Sequence, residues 1–338
     1  MVGLCSLLAG SCGSGTGAPV PGGKLRTGFV YQDFCLEHDL LGDFPESPAR
    51  LLGIRRRLKE VGLLDQLEVL HPPPAPIERI WAIHSPEYVE RARKECKGLH
   101  EGTTFLDRMD VNICGRSFEA AVTAAGGGLG AIDAVMEGRI ANAFCAVRPP
   151  GHHAHVDSAM GFCIFNNVAI AARYLQQRWK VAKVLIVDWD AHHGNGTQEA
   201  FYEDGSVFYF STHCSPLFPL TGGAGERGKG KGEGCILNVP LPRGSGDAEV
   251  KRAFLEQLRP AALAFRPDFI LISAGFDSQE GELGKMRITS AGFAELTRIV
   301  KELARTCCGG RIVSVLEGGY NPARFPLAVE AHIRALME

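Results

Sequence analysis

No run of eighteen apolar residues occurs in the 338-residue chain, so no helix is expected to cross a membrane. Blocks of one charge sign are also missing: 36 Lys and Arg stand against 38 Asp and Glu, a formal net charge of −2. That excludes a surface built to track nucleic-acid phosphates, and no basic cluster supports nuclear import. The 11 cysteines contain no CxxC pair. An odd, scattered set in a chain of this size indicates a reducing compartment and buried thiols, not a disulfide framework. Cytoplasm is therefore expected, with an organelle such as a plastid or mitochondrion as the alternative. The first 23 residues, MVGLCSLLAGSCGSGTGAPVPGG, lack charge and are rich in Gly and Ser. Leu4 to Leu8 imitates the apolar part of a signal peptide, but no basic residue precedes it. Residues 1–26 are expected to be a disordered leader or the remnant of a targeting peptide, and 27–338 one domain.

What is present is a regular alternation. With 45% hydrophobic residues the chain can bury a large core without staples. Short apolar runs at 27–31, 143–147, 184–187, 207–209, 269–272 and 312–315 predict strands. Helical patterns are expected at 49–61, 78–83, 86–95, 117–135, 167–177, 248–258 and 291–303. Apolar strands alternating with helices predict an α/β fold around a parallel sheet covered on both faces. Five strands are followed directly by polar constellations: RPPGHHAH, DWDAHHGNG, STH, SAGFD and LEGGYN. Six of the 11 histidines fall between His152 and His213. Ligands in such folds bind beyond the carboxyl ends of the strands, so one site assembled from five loops is predicted.

In IVDWDAHHGNG, Asp190 and His192 are two residues apart. In extended chain that spacing places both on one side, with Asp188, while Trp189, Ala191 and His193 point away. Asp190 and His192 can then share a cation, with Asp277 of SAGFD as the third ligand. Two carboxylates and an imidazole suit zinc with a fourth position open to water. Fe(II) takes similar ligands, so residue type alone leaves the metal open. A lone Asp-x-His more often caps a helix, but four flanking polar loops favour the metal.

RPPGHHA, GFCIFNNVAIAA, VDWDAHHGNGTQ, SAGFD and EGGYN together resemble the zinc-dependent histone deacetylase family, over roughly residues 27–336. HHGNG is similar to class II members and to bacterial and plastid relatives. The resemblance implies an arginase/deacetylase-like fold with a parallel sheet of about eight strands and one catalytic domain. It also implies one Zn2+ on Asp190, His192 and Asp277, where the metal polarises the substrate carbonyl and acidifies its bound water. His153 would be the general base and His152 its electrostatic partner, oriented by Asn195 and Asp188 respectively. Class I members carry Asp at the position of Asn195. Tyr320 would stabilise the oxyanion. Phe162 and Phe218 would wall an acyl-lysine tunnel, Gly161 would accept the substrate amide, and Asp110 would grip the peptide backbone at the rim. Arg50 would line an inner channel for acetate. Structural K+ is implied on Asp188, Asp190, His192, Ser211 and Thr212, with a second site at Phe201, Asp204 and Val207.

The implied reaction removes acetyl or another short acyl group from lysine in a protein or peptide. The same chemistry on a small acetylated amine, a polyamine or an arylalkylamine, is the alternative; a non-catalytic acyl-lysine-binding scaffold is the alternative of another class. Leu283 falls where lysine deacetylases have Leu and acetylpolyamine deacetylases Glu, if SQEGELGKM is one residue short. GAGERGKG almost spells a phosphate loop but has Gly230 where Ser or Thr should hold magnesium. His155, Cys163 and His213 match no ligand position and are expected to be satisfied packing residues. His38 and Asp43-Phe44 belong to a loop expected near the tunnel mouth.

Overall fold

The computed structural model describes residues 25–40, 42 and 44–338. The expected leader, apart from Leu25 and Arg26, lies outside them, as does Asp43. The strands are β1 (Thr27–Tyr31), β2 (Glu68–Leu70), β3 (Thr104–Phe105), β4 (Asn112–Ile113), β5 (Asn142–Ala146), β6 (Val184–Asp188), β7 (Val207–Cys214), β8 (Ile236–Leu241), β9 (Phe269–Ala274) and β10 (Ile312–Leu316). Apart from the small β3–β4 hairpin, they form one eight-stranded sheet in the order β2-β1-β5-β10-β9-β6-β7-β8. Every pairing in it is parallel.

The sequence places polar loops after β5, β6, β7, β9 and β10. These five strands are neighbours in the sheet. The ends of β5, β10, β9 and β6 are nearly level, Asp188 pairing with Ser273 and Leu316 with Ala274, while β7 passes Asp188 at Ser211 and continues to Cys214. Five loops that are remote in the chain therefore open at one edge of the sheet.

Among the described residues ten α-helices accompany the sheet: α1 (Ala49–Glu60), α2 (Ile77–Ile80), α3 (Pro86–Lys97), α4 (Ser117–Met136), α5 (Asn167–Trp179), α6 (Asn195–Phe201), α7 (Asp247–Ala253), α8 (Arg259–Phe265), α9 (Ser290–Cys308) and α10 (Phe325–Met337). Adjacent residues of β5 show that both faces of the sheet are covered. Cys145 points its thiol at Gly127 of α4, 3.8 Å away, whereas the Phe144 ring lies 5.5 Å from His332 of α10. Alternation along a strand requires these to be opposite faces.

Some boundaries differ from expectation. The strand expected at 207–209 runs on to Cys214, because its polar end, Ser211 to His213, is buried and paired with β8. The helix expected at 78–83 is one turn. The pattern at 248–258 is α7 followed by a π-helical turn, Phe254–Leu258, that runs into α8. The nine cysteines among the described residues are unbridged. Among those residues no helix is long and apolar enough to cross a membrane.

The PPPA connector before α2 lies against α4 at Gly126. A Cβ there would sit 2.2 Å from the Pro73 carbonyl oxygen and 2.6 Å from the Ala75 nitrogen. Helix propensity alone favours Ala over Gly by about 1 kcal/mol. Because the obstacle is backbone, Gly126→Ala is expected to reverse that sign and destabilise by about 1–3 kcal/mol. Urea unfolding of the two proteins measures the difference.

Candidate active site

Asp188 ends β6 with no exposed surface, and its oxygens are fully used. Oδ1 accepts the Asp190 N–H at 3.1 Å, while Oδ2 accepts from the Tyr209 hydroxyl at 3.0 Å and faces His152 Nδ1 at 3.1 Å. The chain then alternates as expected. Trp189 turns to the far side, 5.4 Å from the His332 ring and 6.2 Å from Phe254. His193 also turns away, to Thr221 and Gln198.

Asp190 accepts the His192 N–H on Oδ1 at 2.8 Å and the Gly318 N–H on Oδ2 at 2.9 Å. Asp277 accepts the Ala191 N–H on Oδ1 at 2.9 Å. Backbone bonds from two loops thus aim two carboxylates at one point. Close approach is needed: a Cβ on Gly275 would lie 2.0 Å from Asp190 Oδ2. One ligand atom from each of Asp190, His192 and Asp277 lies within 4.8 Å of the others. Asp277 Oδ2 is buried without a hydrogen bond, although His192 Nδ1 is only 2.8 Å away. Two buried carboxylates at this range are costly without a compensating charge. Burial pushes the Asp277 carboxyl up, and the Asp190 charge adds to the shift. Burial alone would lower His192, but the Asp277 and Asp190 carboxylates lift it well above its ordinary value. The set calls for a positive charge, and its geometry and donors fit a divalent cation.

His152 and His153 follow β5, with ring centroids 4.0 Å apart. The Gly151 and His152 N–H groups both donate to Glu317 Oε2, at 2.7 and 3.1 Å, which fixes the turn. His153 Nδ1 lies 2.7 Å from Asn195 Oδ1. The two rings differ in charge. Burial opposes the imidazolium of His152, but Asp190, Asp188 and Glu317 outweigh it and raise the group to about 10. His153 has no carboxylate partner of its own; burial, then the neighbouring His152 and His192, push it well below its ordinary value.

Both histidines, Asp190, His192 and Tyr320 line one cavity of about 210 Å³. Phe162 and Phe218 line it as well, with Phe162 edge-on to Tyr320 at 5.8 Å and Phe218 edge-on to His153 at 5.2 Å. Gly161, Leu283, Asp110, Pro150 and Gly318 complete the lining. Asp110 Oδ2 accepts the Gly161 N–H at 3.1 Å, and its Oδ1 has no hydrogen bond among the described residues. Burial holds the Tyr320 phenol well above its ordinary value, against the opposing effect of Arg50. The phenol therefore keeps its proton and can donate a hydrogen bond.

Other expected residues stand outside the cavity. Asp277 lies beneath it, and Asp188 and Asn195 lie behind the histidines. Arg50 stacks under the Tyr320 ring at 4.8 Å and binds the carbonyls of Gly319 and Glu317. Ser211 pairs with His213 at 2.9 Å beside the buried Thr212. Phe201 and Val207 are buried, and the Asp204 carboxylate is bound to Arg173 and Ser206.

The His38 side chain is not at the tunnel mouth. It is buried, 2.7 Å from Ser117 and 3.3 Å from Glu46. Phe44 of the same loop does reach the wall, 5.3 Å from Phe162. Cys163 and His213 are partnered as expected. His155 is more than packing: its ring bridges Asn195 and Glu199. Two structural acids escaped the sequence reading. Glu317 sits inside LEGGYN with no role assigned, and Glu282 accepts the Tyr320 and Asn321 N–H groups at 2.9 and 2.7 Å. An acid directly before the glycine pair was the only available signal.

Residues 44–336 match the family described as "Histone deacetylase domain". A probable deacetylase of Archaeoglobus fulgidus is 39% identical over 300 residues, which cover 87% of this chain and 81% of that protein. Polyamine deacetylase HDAC10 of Homo sapiens is 40% identical over 310 residues, 88% of this chain and 46% of that one. The crystal structure of the HDA15 HD domain superposes with a TM-score of 0.87 at 36% identity, covering 93% of this chain and 88% of that chain. The α/β fold is thus of the arginase/deacetylase-like kind.

A metal ligand must be deprotonated, and the two carboxylates stabilise the proton on His192. Zinc added to metal-free protein near neutral pH is expected to release about one proton per ion. Calorimetry in buffers of different protonation enthalpy counts that proton. Asp277→Asn is expected to weaken the binding by about tenfold or more.

Proposed function

The chain belongs to the histone deacetylase family, and from that premise we propose that it is a zinc-dependent amidohydrolase that removes acetyl, or another short acyl group, from the ε-amino group of lysine in proteins. One observation carries the reading: the cation site, through Asp190 and His192, opens onto one aromatic-walled cavity that His153 and Tyr320 also line. Bound at Asp190, His192 and Asp277, zinc supplies Lewis-acid polarisation and lowers the pKa of water.

The remaining steps belong to the side chains. Asn195 Oδ1 holds the proton of His153 on Nδ1, which leaves the Nε2 lone pair for the attacking water. His153 takes the water proton as the new C–O bond forms and the carbonyl electron pair moves onto oxygen. Tyr320 donates a hydrogen bond to that developing oxyanion. The proton on His153 then passes to the amide nitrogen as the C–N bond breaks and the oxyanion closes to a carbonyl, leaving a carboxylic acid and an amine; the acid then gives its proton to the amine. His152, held charged by its carboxylates, favours the negative charge that develops beside it.

Phe162 and Phe218 suit the four-methylene stem of lysine, and the Gly161 carbonyl would accept its amide. The unpartnered Asp110 Oδ1 can accept a backbone N–H of a peptide. Arg50 lies beneath Tyr320, on the side where acetate would leave. Asp188 pairs with Ser211, next to Thr212, and these three would form the K+ site. The unbridged thiols support a reducing compartment, which we read as cytoplasm.

A small acetylated amine is the second reading, favoured by the similarity to a protein named as a polyamine deacetylase. Against it, the rim carries Leu283, which has no charge for a second ammonium. Both oxygens of the adjacent Glu282 are already engaged by backbone N–H groups.

Metal-stripped protein is expected to release no fluorophore from an acetyl-lysine peptide amide and to regain activity with zinc. Asp190→Ala should abolish the rescue, and Tyr320→Phe should lower kcat by about 10²–10³. Silence of folded, zinc-loaded protein on acyl-lysine peptides, with turnover of an acetylated polyamine, would overturn the lysine reading in favour of the second.

A further inference from the structure

We infer that His155, backed by Glu199, is a positioning residue: it fixes which way the Asn195 amide points, and through that amide the tautomer of His153. The inference rests on His153 being the general base. Its observations are geometric. Asn195 Oδ1 lies 2.7 Å from His153 Nδ1, and Asn195 Nδ2 lies 2.8 Å from His155 Nε2. The second proton on Nδ2 faces Met160 Sδ at 3.4 Å. His155 Nδ1 bonds the Glu199 carboxylate. Glu199 is four residues after Asn195 on α6, and so on the same face.

The backbone around His155 is pinned. Its N–H donates to the Ser158 carbonyl at 2.9 Å, and its carbonyl accepts from His84 Nδ1 at 2.8 Å. His84 Nε2 accepts the Asn166 N–H at 2.8 Å, which fixes that ring as a donor at Nδ1.

The chemical need comes from asparagine. A carboxylate presents two acceptors, so either rotamer receives a proton from His153 Nδ1. An amide presents an acceptor on one side and a donor on the other, with nearly the same shape. Rotated by half a turn, Asn195 would offer NH₂ to His153 Nδ1. That would stabilise the tautomer with its proton on Nε2, which has no lone pair for the attacking water. His155 Nε2 and Met160 Sδ both accept, so they hold the amide the useful way round. Glu199 can only accept, so it keeps the His155 proton on Nδ1 and leaves Nε2 as the acceptor.

The test couples two positions. His155→Phe, which keeps a flat ring but has no acceptor, is expected to lower kcat by about tenfold while KM moves by less than about twofold. His155→Gln places a carbonyl oxygen near the lost lone pair and should recover most of that loss. In an Asn195→Asp background the same His155→Phe change should alter kcat by less than about twofold, because a carboxylate has no wrong orientation. Equal losses in both backgrounds would overturn the proposal and leave His155 a packing residue.

A second readout needs no turnover. Nitrogen NMR of ¹⁵N-histidine-labelled metal-free protein reports the His153 tautomer directly. The proton should be on Nδ1 in the parent chain and shift toward Nε2 in His155→Phe; an unchanged tautomer sinks the inference. A protein inactive on acyl-lysine but showing this shift would refute the substrate reading and leave the positioning role standing. Should His155→Phe fail to fold, Glu199→Ala, a change at an exposed residue, frees the same ring and must move the tautomer in the same direction.

Discussion

Four carboxylates buried at the end of an otherwise apolar sheet set the terms for everything around them. Asp188, Asp190, Asp277 and Glu317 have essentially no solvent contact, and all lie at or just beyond the carboxyl ends of adjacent central strands. In such surroundings a carboxylate must be hydrogen-bonded, paired or protonated. Each of the four takes at least one backbone N–H, from Ala191, Asp190, His192, Gly151, His152 or Gly318. The bonds from Ala191, Gly151, His152 and Gly318 cross between loops, so acids that require charge compensation also tie the loops together.

That constraint explains the partition of roles. Asp190 and Asp277 converge on a point that fits a cation, whereas Asp188 is committed to His152, and Glu317 is committed to the turn that carries both histidines. Burial pushes Glu317 up to about 7, with His152 and two backbone N–H groups acting in the opposite sense. Tyr320 is held by other means: Arg50 stacks beneath it, while Glu282 anchors its backbone.

Much of this was legible because strands announce themselves by apolar runs and the polar clusters follow them directly. The side on which Asp190 and His192 meet followed from extended-chain alternation, and Trp189 packs on the opposite side as that alternation requires. Edge elements were harder to read. β2 is only Glu68–Leu70 and largely exposed, and β8 contains Pro240, so neither has the pattern of a buried strand. The π-helical turn at Phe254–Leu258 has no compositional mark, since it keeps helical periodicity on either side. Glu317, Glu282 and His155 were opaque for a different reason. Their importance lies in the group each one touches across the fold, which neither residue type nor spacing along the chain encodes.

The choice of Asn at position 195 follows from the same balance of charge. A divalent cation on Asp190, Asp277 and neutral His192 leaves that set with no net charge. The His152 imidazolium and Asp188 form a second neutral pair. Only His153 remains without a carboxylate, and burial can then hold it neutral beside a charged neighbour 4.0 Å away. A carboxylate at 195 would add an acid beside His153 and raise it toward His152, narrowing the difference between the two rings. The amide avoids that rise but introduces an orientation that must be fixed. His155 and Met160 sit where an acceptor is needed to fix it, so the neutral partner and its second layer of contacts are best understood as one device.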